Sequence, residues 1–311
     1  MSTVSIAVFG SVNIDVTAFC ERLPRPGETV AGGGYSMTLG GKGANQAVAA
    51  ARLGAHASLI GRTGTDAFGA LARERLGAYG VDLDRLHAQT GAATGVAVIN
   101  VDSRAENTIV VVGGANMIVD STDVEHALPM LAAAQVLLLQ LEVPLAASLA
   151  AAARTRAARG QVVLDPAPAP TSGLAASAYA AVDILTPNET ETEALVGVRP
   201  QTPAEAASAA ARLRERGVRT AIIKMGAAGV YFAGPDGSGF VPPFRVTAVN
   251  SVGAGDCFNG GLAFALAQGR PLADAVRFGA ACGALATTGP GGAASAPALA
   301  DVENLMRREV G

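Results

Sequence analysis

Along the chain, short runs of β-branched and aliphatic residues alternate with longer stretches in which alanine and leucine recur at helical spacing. The runs 4–9, 58–61, 136–140, 162–165, 182–185 and 220–224 read as strands. The stretches 44–53 (closed by Gly54), 68–79, 145–159, 203–216, 256–267 and 272–286 read as helices. That rhythm predicts an α/β fold with a doubly wound, mostly parallel sheet. Two stretches break it, at about 14–38 and 95–112. In the second, GVAVINVD and NTIVVV read as a hairpin turning at 103–106, so the two stretches predict a small separate β-layer.

Half of the 311 residues are hydrophobic, enough for one large α/β unit, and the 38 glycines punctuate apolar runs instead of clustering in a tail. Lys and Arg number 23 against 26 Asp and Glu, with no block of like charge, which argues against nucleic acid or an acidic membrane surface as partner. Cys20, Cys257 and Cys282 are far apart and never form C-x-x-C, so neither a disulfide framework nor a zinc site is expected, and a reducing cytoplasm fits. His56, His87 and His126 are dispersed along the chain, without partners at ligand spacing, which argues against a histidine metal centre. The N-terminal apolar stretch is short and lacks a basic flank. The most apolar region, 128–153, is broken by Gln135, Gln140, Glu142 and Pro144 before the ~20 residues that a membrane span needs. A soluble, cytoplasmic protein is expected.

In an open parallel sheet, ligands sit beyond the carboxyl ends of the strands. Those positions read GSVNID at 10–15, QLE at 140–142, Asp165-Pro166, TPNETE at 186–191, Lys224-Met225-Gly226 and VGAGD at 252–256, so polar and acidic groups converge on one rim. Gly253, Ala254 and Gly255 precede a helix and offer successive backbone N–H groups to an anion, with Asp256 beside them as a proton acceptor. The same tetrapeptide also suits a glycine turn with an N-capping Asp. Gly41, Lys42 and Asn45 open the first helix in GGKGAN. This is not a Walker A loop, because Gly43 stands where Ser or Thr would hold magnesium. Asn188 and Glu191 lie three apart at a helix start, a spacing of oxygen ligands that suits magnesium and equally an acidic first helical turn. GSVNID lacks G-x-G-x-x-G, and Lys224 occupies the first glycine position of KMGAAG, which argues against a dehydrogenase.

Taken in order, GSVNIDV, LGGKGANQAVAAARLG, GTDAFG, ENTI, GAN, LQLE, TPNETE, KMGAAGV and GAGDCFNG span residues 10–260, and the chain resembles the ribokinase-like carbohydrate kinase family. The resemblance implies a single ribokinase-like catalytic domain over 1–311, with 14–38 and 95–112 inserted as a β-sheet lid that often pairs two subunits as a homodimer. It implies an ATP-dependent phosphotransferase that adds phosphate to O5 of D-ribose. Another sugar, a nucleoside or a sugar phosphate remains as an alternative substrate, with Arg104 as a possible phosphate grip, and a non-catalytic sugar-binding relative is a further alternative. By the same resemblance Asn13, Asp15, Gly41, Lys42, Asn45 and Glu142 hold the sugar, and Asp256 deprotonates its hydroxyl beside the anion hole Gly253–Ala254–Gly255. Asn188, Lys224, Gly226, Gly229, Gly255 and Ala280 line the nucleotide site, and Glu191 holds Mg2+ through water. Ala280 replaces an amide or imidazole that often meets adenine, which leaves nucleotide preference open. Asn250 replaces the aspartate that helps bind activating K+, whose other expected contacts are Val252, Ala286, Gly289, Gly291 and Ser295. Weakened potassium activation is expected.

Overall fold

The computed structural model describes residues 4–308. In chain order the strands are β1 (Ser5–Phe9), β2 (Asn13–Cys20), β3 (Gly32–Gly40), β4 (His56–Gly64), β5 (Leu86–Gln89), β6 (Gly95–Val101) and β7 (Asn107–Val112). They continue with β8 (Val136–Leu139), β9 (Gln161–Leu164), β10 (Ile184–Leu185), β11 (Thr220–Lys224), β12 (Val230–Gly234) and β13 (Gly237–Val241).

Nine strands form one sheet in the order β13-β12-β11-β10-β9-β8-β1-β4-β5. From β11 to β5 every pairing is parallel, whereas β12 and β13 run antiparallel at one edge. Helices cover both faces. Ile6 and Val8 of β1 point into one core while Ala7 and Phe9 point into the other, and Val136 and Leu138 of β8 oppose Leu137 and Leu139 in the same way. Burial on both faces is why these strands read as unbroken apolar runs instead of alternating ones. Strands β5, β12 and β13 escape the helix–strand rhythm. Strand β5 is four residues of mixed polarity, and β12–β13 is a hairpin closed by Pro235 and Asp236, a connection that signals a turn but not a new βα unit.

The segments without the rhythm pair with each other in a second, four-stranded sheet ordered β3-β2-β6-β7. Strand β2 runs parallel to β6, and the two outer pairings are antiparallel. This sheet leaves the main body where Asn13 pairs with both Gly40 and Gly95. Phe19, Tyr35, Val98 and the run Ile109 to Val112 are exposed on it. Among the described residues no helix is long and apolar enough to cross a membrane.

Two helices frame the rim between the sheets. Lys42–Arg52 and Ala254–Ala267 pack so closely that a Cβ at Gly260 would come within 2.5 Å of the Ala49 Cβ. Both start two residues earlier than periodicity predicts, because a glycine in the left-handed region caps each: Gly41 at φ +86° and Gly253 at φ +81°. A side chain at either position is strained, so glycine there permits the chain to turn sharply into the helix.

Candidate active site

The rim is built around buried charge. Asp256, in the first turn of Ala254–Ala267, is 5% exposed, and Asp165, directly after β9, is 3% exposed. Asn45 Nδ2 donates to Asp256 Oδ2 at 2.9 Å. A single amide group, Gln46 Nε2, donates at 3.1 Å to both Asp256 Oδ1 and Asp165 Oδ2. Gln46 is held in turn by Gln140, whose Nε2 donates to Gln46 Oε1 at 2.6 Å. Lys224 Nζ donates to Asp165 Oδ1 at 3.1 Å and lies 3.5 Å from where a Cβ at Gly255 would stand, beside the helix N-terminus.

These surroundings set protonation. Burial pushes the Asp256 carboxyl up to about 6. Lys42 opposes that shift, Asp165 adds to it, and the bonds from Asn45 and Gln46 favour the charged form. Burial alone would lower the Lys42 ammonium, yet Asp256, Asp165, Glu142 and Glu191 together hold it above its ordinary value. Lys42 therefore stays charged at the centre of four carboxylates. Asp256 is a buried, hydrogen-bonded carboxylate near neutrality, the condition required of a general base.

Glu142 braces the turn before the first helix. Its Oε2 accepts from Ser11 Oγ at 2.5 Å and from the Lys42 backbone N–H at 2.9 Å, while the Gly43 N–H donates to Ser11 Oγ at 3.3 Å. On the small-sheet side, Asn13 and Asp15 are two apart on β2 and share a face. Burial, with the Glu142 charge adding, pushes the Asp15 carboxyl up to about 6. Asn13 Oδ1 accepts from Asn116 Nδ2 at 2.8 Å.

Asn188 and Glu191 form a reciprocal capping box at the start of Glu189–Val196. The Glu191 N–H donates to Asn188 Oδ1 at 2.9 Å, and the Asn188 N–H donates to Glu191 Oε2 at 2.8 Å. The capping reading is what the structure shows, with Asn188 Nδ2 also donating to Glu191 Oε1 at 2.9 Å. Burial raises the Glu191 carboxyl, against Lys224 and with Asp165 adding. Gly226 and Gly229 form the turn between β11 and β12, where the Met225 N–H donates to the Gly229 carbonyl, and Ala280 lies half-buried on the helix Leu272–Ala286. In the stretch expected to form an anion hole, the Ala254 N–H already donates to the Ser251 carbonyl at 3.2 Å. It can serve an anion only by releasing that bond.

Among the described residues no three His, Cys, Asp or Glu side chains lie close enough to hold a metal by themselves. Asp165, Glu191 and Asn188 nonetheless offer oxygen donors on one rim, and this set fits magnesium, which keeps most of its waters and enters with a polyphosphate. The expected monovalent site is different. Asn250 Nδ2 donates to the Pro290 carbonyl at 2.6 Å, Asn250 Oδ1 accepts from the Val252 N–H at 2.9 Å, and Ser295 Oγ accepts from the Gly291 N–H at 2.6 Å. The Gly289 N–H donates to the Ala286 carbonyl at 3.2 Å, so Asn250 and these N–H groups are bonded within the loop. His87 and His126, dispersed in sequence, meet edge to face with centroids 5.5 Å apart, and among the described residues they have no third ligand. All three cysteines are free.

Ser11, Gln46, Asn116, Gln140 and Asp165 were left without roles by the sequence, although each lies inside or beside a motif. Gln140 and Asp165 directly follow strands, where a signal existed, whereas Gln46 lies within a helix and Asn116 in a 3-10 turn, and only the fold reveals which of them meet.

A model of the pfkB family carbohydrate kinases matches residues 4–299. The ribokinase of Haemophilus influenzae is 37% identical over 94% of this chain and 95% of its own. The deoxyribokinase of Salmonella typhimurium is 33% identical over 94% of this chain and 96% of its own. Arabidopsis thaliana ribokinase, solved in complex with ribose and ATP, superimposes with a TM-score of 0.91 at 32% identity, covering 98% of this chain and 99% of that one.

The raised Asp256 carboxyl carries a stability signature. Its protonated form favours folding fully below the ordinary carboxylate value, and that contribution is lost as pH rises through about 6. The melting temperature of Asp256→Asn minus that of the parent is therefore expected to increase between about pH 4 and about pH 7 in thermal scans. A difference that stays flat or decreases contradicts the assignment.

Proposed function

The chain belongs to the pfkB family of carbohydrate kinases, and on that premise we propose that it transfers the γ-phosphoryl group of ATP to O5 of D-ribose. The observation that carries the reading is Asp256, buried in the first turn of its helix, held by Asn45 and Gln46 and opposed by the charge of Lys42. Asn13, Asp15, Gly41, Lys42, Asn45 and Glu142 surround the sugar. Asp256 takes the proton of the 5-hydroxyl as its oxygen attacks the γ-phosphorus in line. The bond from that phosphorus to the ADP oxygen breaks as the new one forms, leaving ribose 5-phosphate and ADP.

Lys42, Lys224 and the N–H groups at Gly253, Ala254 and Gly255 meet the charge on the transferring oxygens. Such preorganised donors act most strongly where water is excluded. Lys224, Gly226, Gly229 and Ala280 line the nucleotide, with Asn188 against its phosphates. Glu191 would hold magnesium through water, and the ion would supply positive charge to offset that of the phosphates. The small sheet serves as a lid that shuts water from the reaction.

A sugar phosphate is disfavoured as substrate, because its expected grip is occupied: Arg104 Nη2 bonds Glu106 at 2.8 Å and Asp102 at 3.5 Å at the exposed hairpin tip. The three free cysteines suit a reducing cytoplasm. The exposed run Ile109 to Val112 on edge strand β7 supports a homodimer paired through the lids. Sedimentation at working concentration is expected to give twice the chain mass, and a single-chain mass contradicts the pairing.

The deciding experiment is ADP release with MgATP over ribose, 2-deoxyribose, fructose, adenosine and fructose 6-phosphate. Ribose is expected to lead, and Asp256→Asn is expected to lower kcat by about 100-fold or more. Equal turnover on fructose 6-phosphate, or an unchanged kcat in the variant, overturns the reading. Because Asn250 offers a neutral amide oxygen where an aspartate would add a charge, potassium is expected to stimulate the parent weakly and Asn250→Asp more strongly. Equal responses of the two proteins to added KCl contradict this.

A further inference from the structure

Asn116 sits in the short 3-10 turn Gly114–Ile118, through which the chain leaves β7, and it is 1% exposed. Its amide clasps the backbone of Val12, where the chain enters the lid. The Val12 N–H donates to Asn116 Oδ1 at 2.9 Å, and Asn116 Nδ2 donates to the Val12 carbonyl at 3.1 Å. A backbone N–H can only donate and a backbone carbonyl can only accept, so this clasp fixes which end of the Asn116 amide is which. The second proton of Nδ2 then points to Asn13, at 2.8 Å. The Asn13 atom that receives it must be the acceptor Oδ1, which leaves the Asn13 NH2 group, a pure donor, for other contacts. Space is closed around this arrangement, since a side chain at Gly95 would run into both amides.

We propose that Asn116 is a positioning residue that sets the hydrogen-bond polarity of Asn13, so that the lid hinge presents a donor to the sugar and selects a substrate carrying a hydroxyl oxygen there. The inference rests on the sugar kinase reading given above. Its consequence is directional. The sugar hydroxyl accepts from Asn13 and must pass its own proton to an acceptor, and Asp15 is the carboxylate on the same face of β2. A deoxy sugar leaves the buried Asn13 donor unpaired, which is how a polar site rejects an analogue lacking one hydroxyl.

The test is kcat and KM for ribose, 2-deoxyribose and 3-deoxyribose in the parent, Asn116→Asp, Asn13→Asp, Asn13→Ala and the double variant Asn13→Ala with Asn116→Asp. Asp at 116 still accepts from Val12 but has no proton for Asn13, which then turns its oxygen to the sugar. Asp at 13 keeps the bond from Asn116 and presents an acceptor to the sugar. Both single Asp variants are expected to lower kcat/KM for ribose by about 10-fold or more, mainly through KM. The deoxy sugar lacking the hydroxyl that Asn13 meets is expected to fall by less than about 3-fold. In the Asn13→Ala background, Asn116→Asp should leave the ribose-to-deoxyribose ratio unchanged.

A merely structural role lowers all three sugars alike, and that result overturns the proposal, as does full additivity in the double variant. If Asn116→Asp does not fold, Asn13→Asp decides, because a retained preference for ribose in that variant also overturns it. A parent inactive on ribose instead overturns the substrate reading, so the two failures are distinct.

Discussion

Two carboxylates that share one amide proton donor organise this rim. Asp165 and Asp256 are both nearly sealed from solvent, and Gln46 Nε2 bonds to one oxygen of each. Burying one unpaired carboxylate is costly, and burying two side by side is worse unless cations and donors compensate. Lys224 answers Asp165 directly, and Lys42 answers Asp256, Asp165, Glu142 and Glu191. The compensation is uneven. Asp165 receives a lysine hydrogen bond, whereas Asp256 is bonded only by neutral amides and its carboxyl is pushed up to about 6 by burial.

That arrangement depends on elements far apart in the chain. Asn45 and Gln46 come from the helix capped by Gly41, Gln140 follows β8, Asp165 follows β9, Lys224 ends β11, and Asp256 belongs to the helix capped by Gly253. The parallel sheet aligns these strand ends on one side, and the contact between the two helices at Gly260 and Ala49 fixes the distance from the amides to the base. The small-sheet side depends on the turn after β1 in the same way. Glu142 holds the turn at Ser11 and Lys42, and Asn116 holds Val12 and Asn13, so the strand that leaves for the second sheet is tied at both ends of the turn.

Much of this was legible in the residues. Apolar runs such as 136–140 and alanine-rich stretches such as 203–216 announced the doubly wound sheet, because strands buried on both faces carry no polar alternation to confuse them. Residues 14–38 and 95–112 stood out by failing that pattern, and they form the second sheet. Strands β12 and β13 were missed because a hairpin at a sheet edge leaves no crossover helix to mark it. In the site, charged residues at strand ends were easy to single out, since ionisable groups beside buried strands need a reason. Gln46, Gln140 and Asn116 were not, because a neutral amide has no preferred place in a sequence pattern. Its role is defined only by the partners that folding brings within 3.1 Å. Asn188 and Glu191 gave the opposite lesson, since the capping-box signature and the ligand signature are the same spacing read twice.

The account turns on Asp256 as a buried base poised near neutrality. The most direct measurement is the pH dependence of kcat/KM for ribose at saturating MgATP, which reports ionisations of the enzyme before the sugar binds. The account predicts an acid limb with an apparent midpoint near about 6, steeper than one proton requires because Asp15 titrates in the same range. A profile that stays level down to about pH 5 contradicts it.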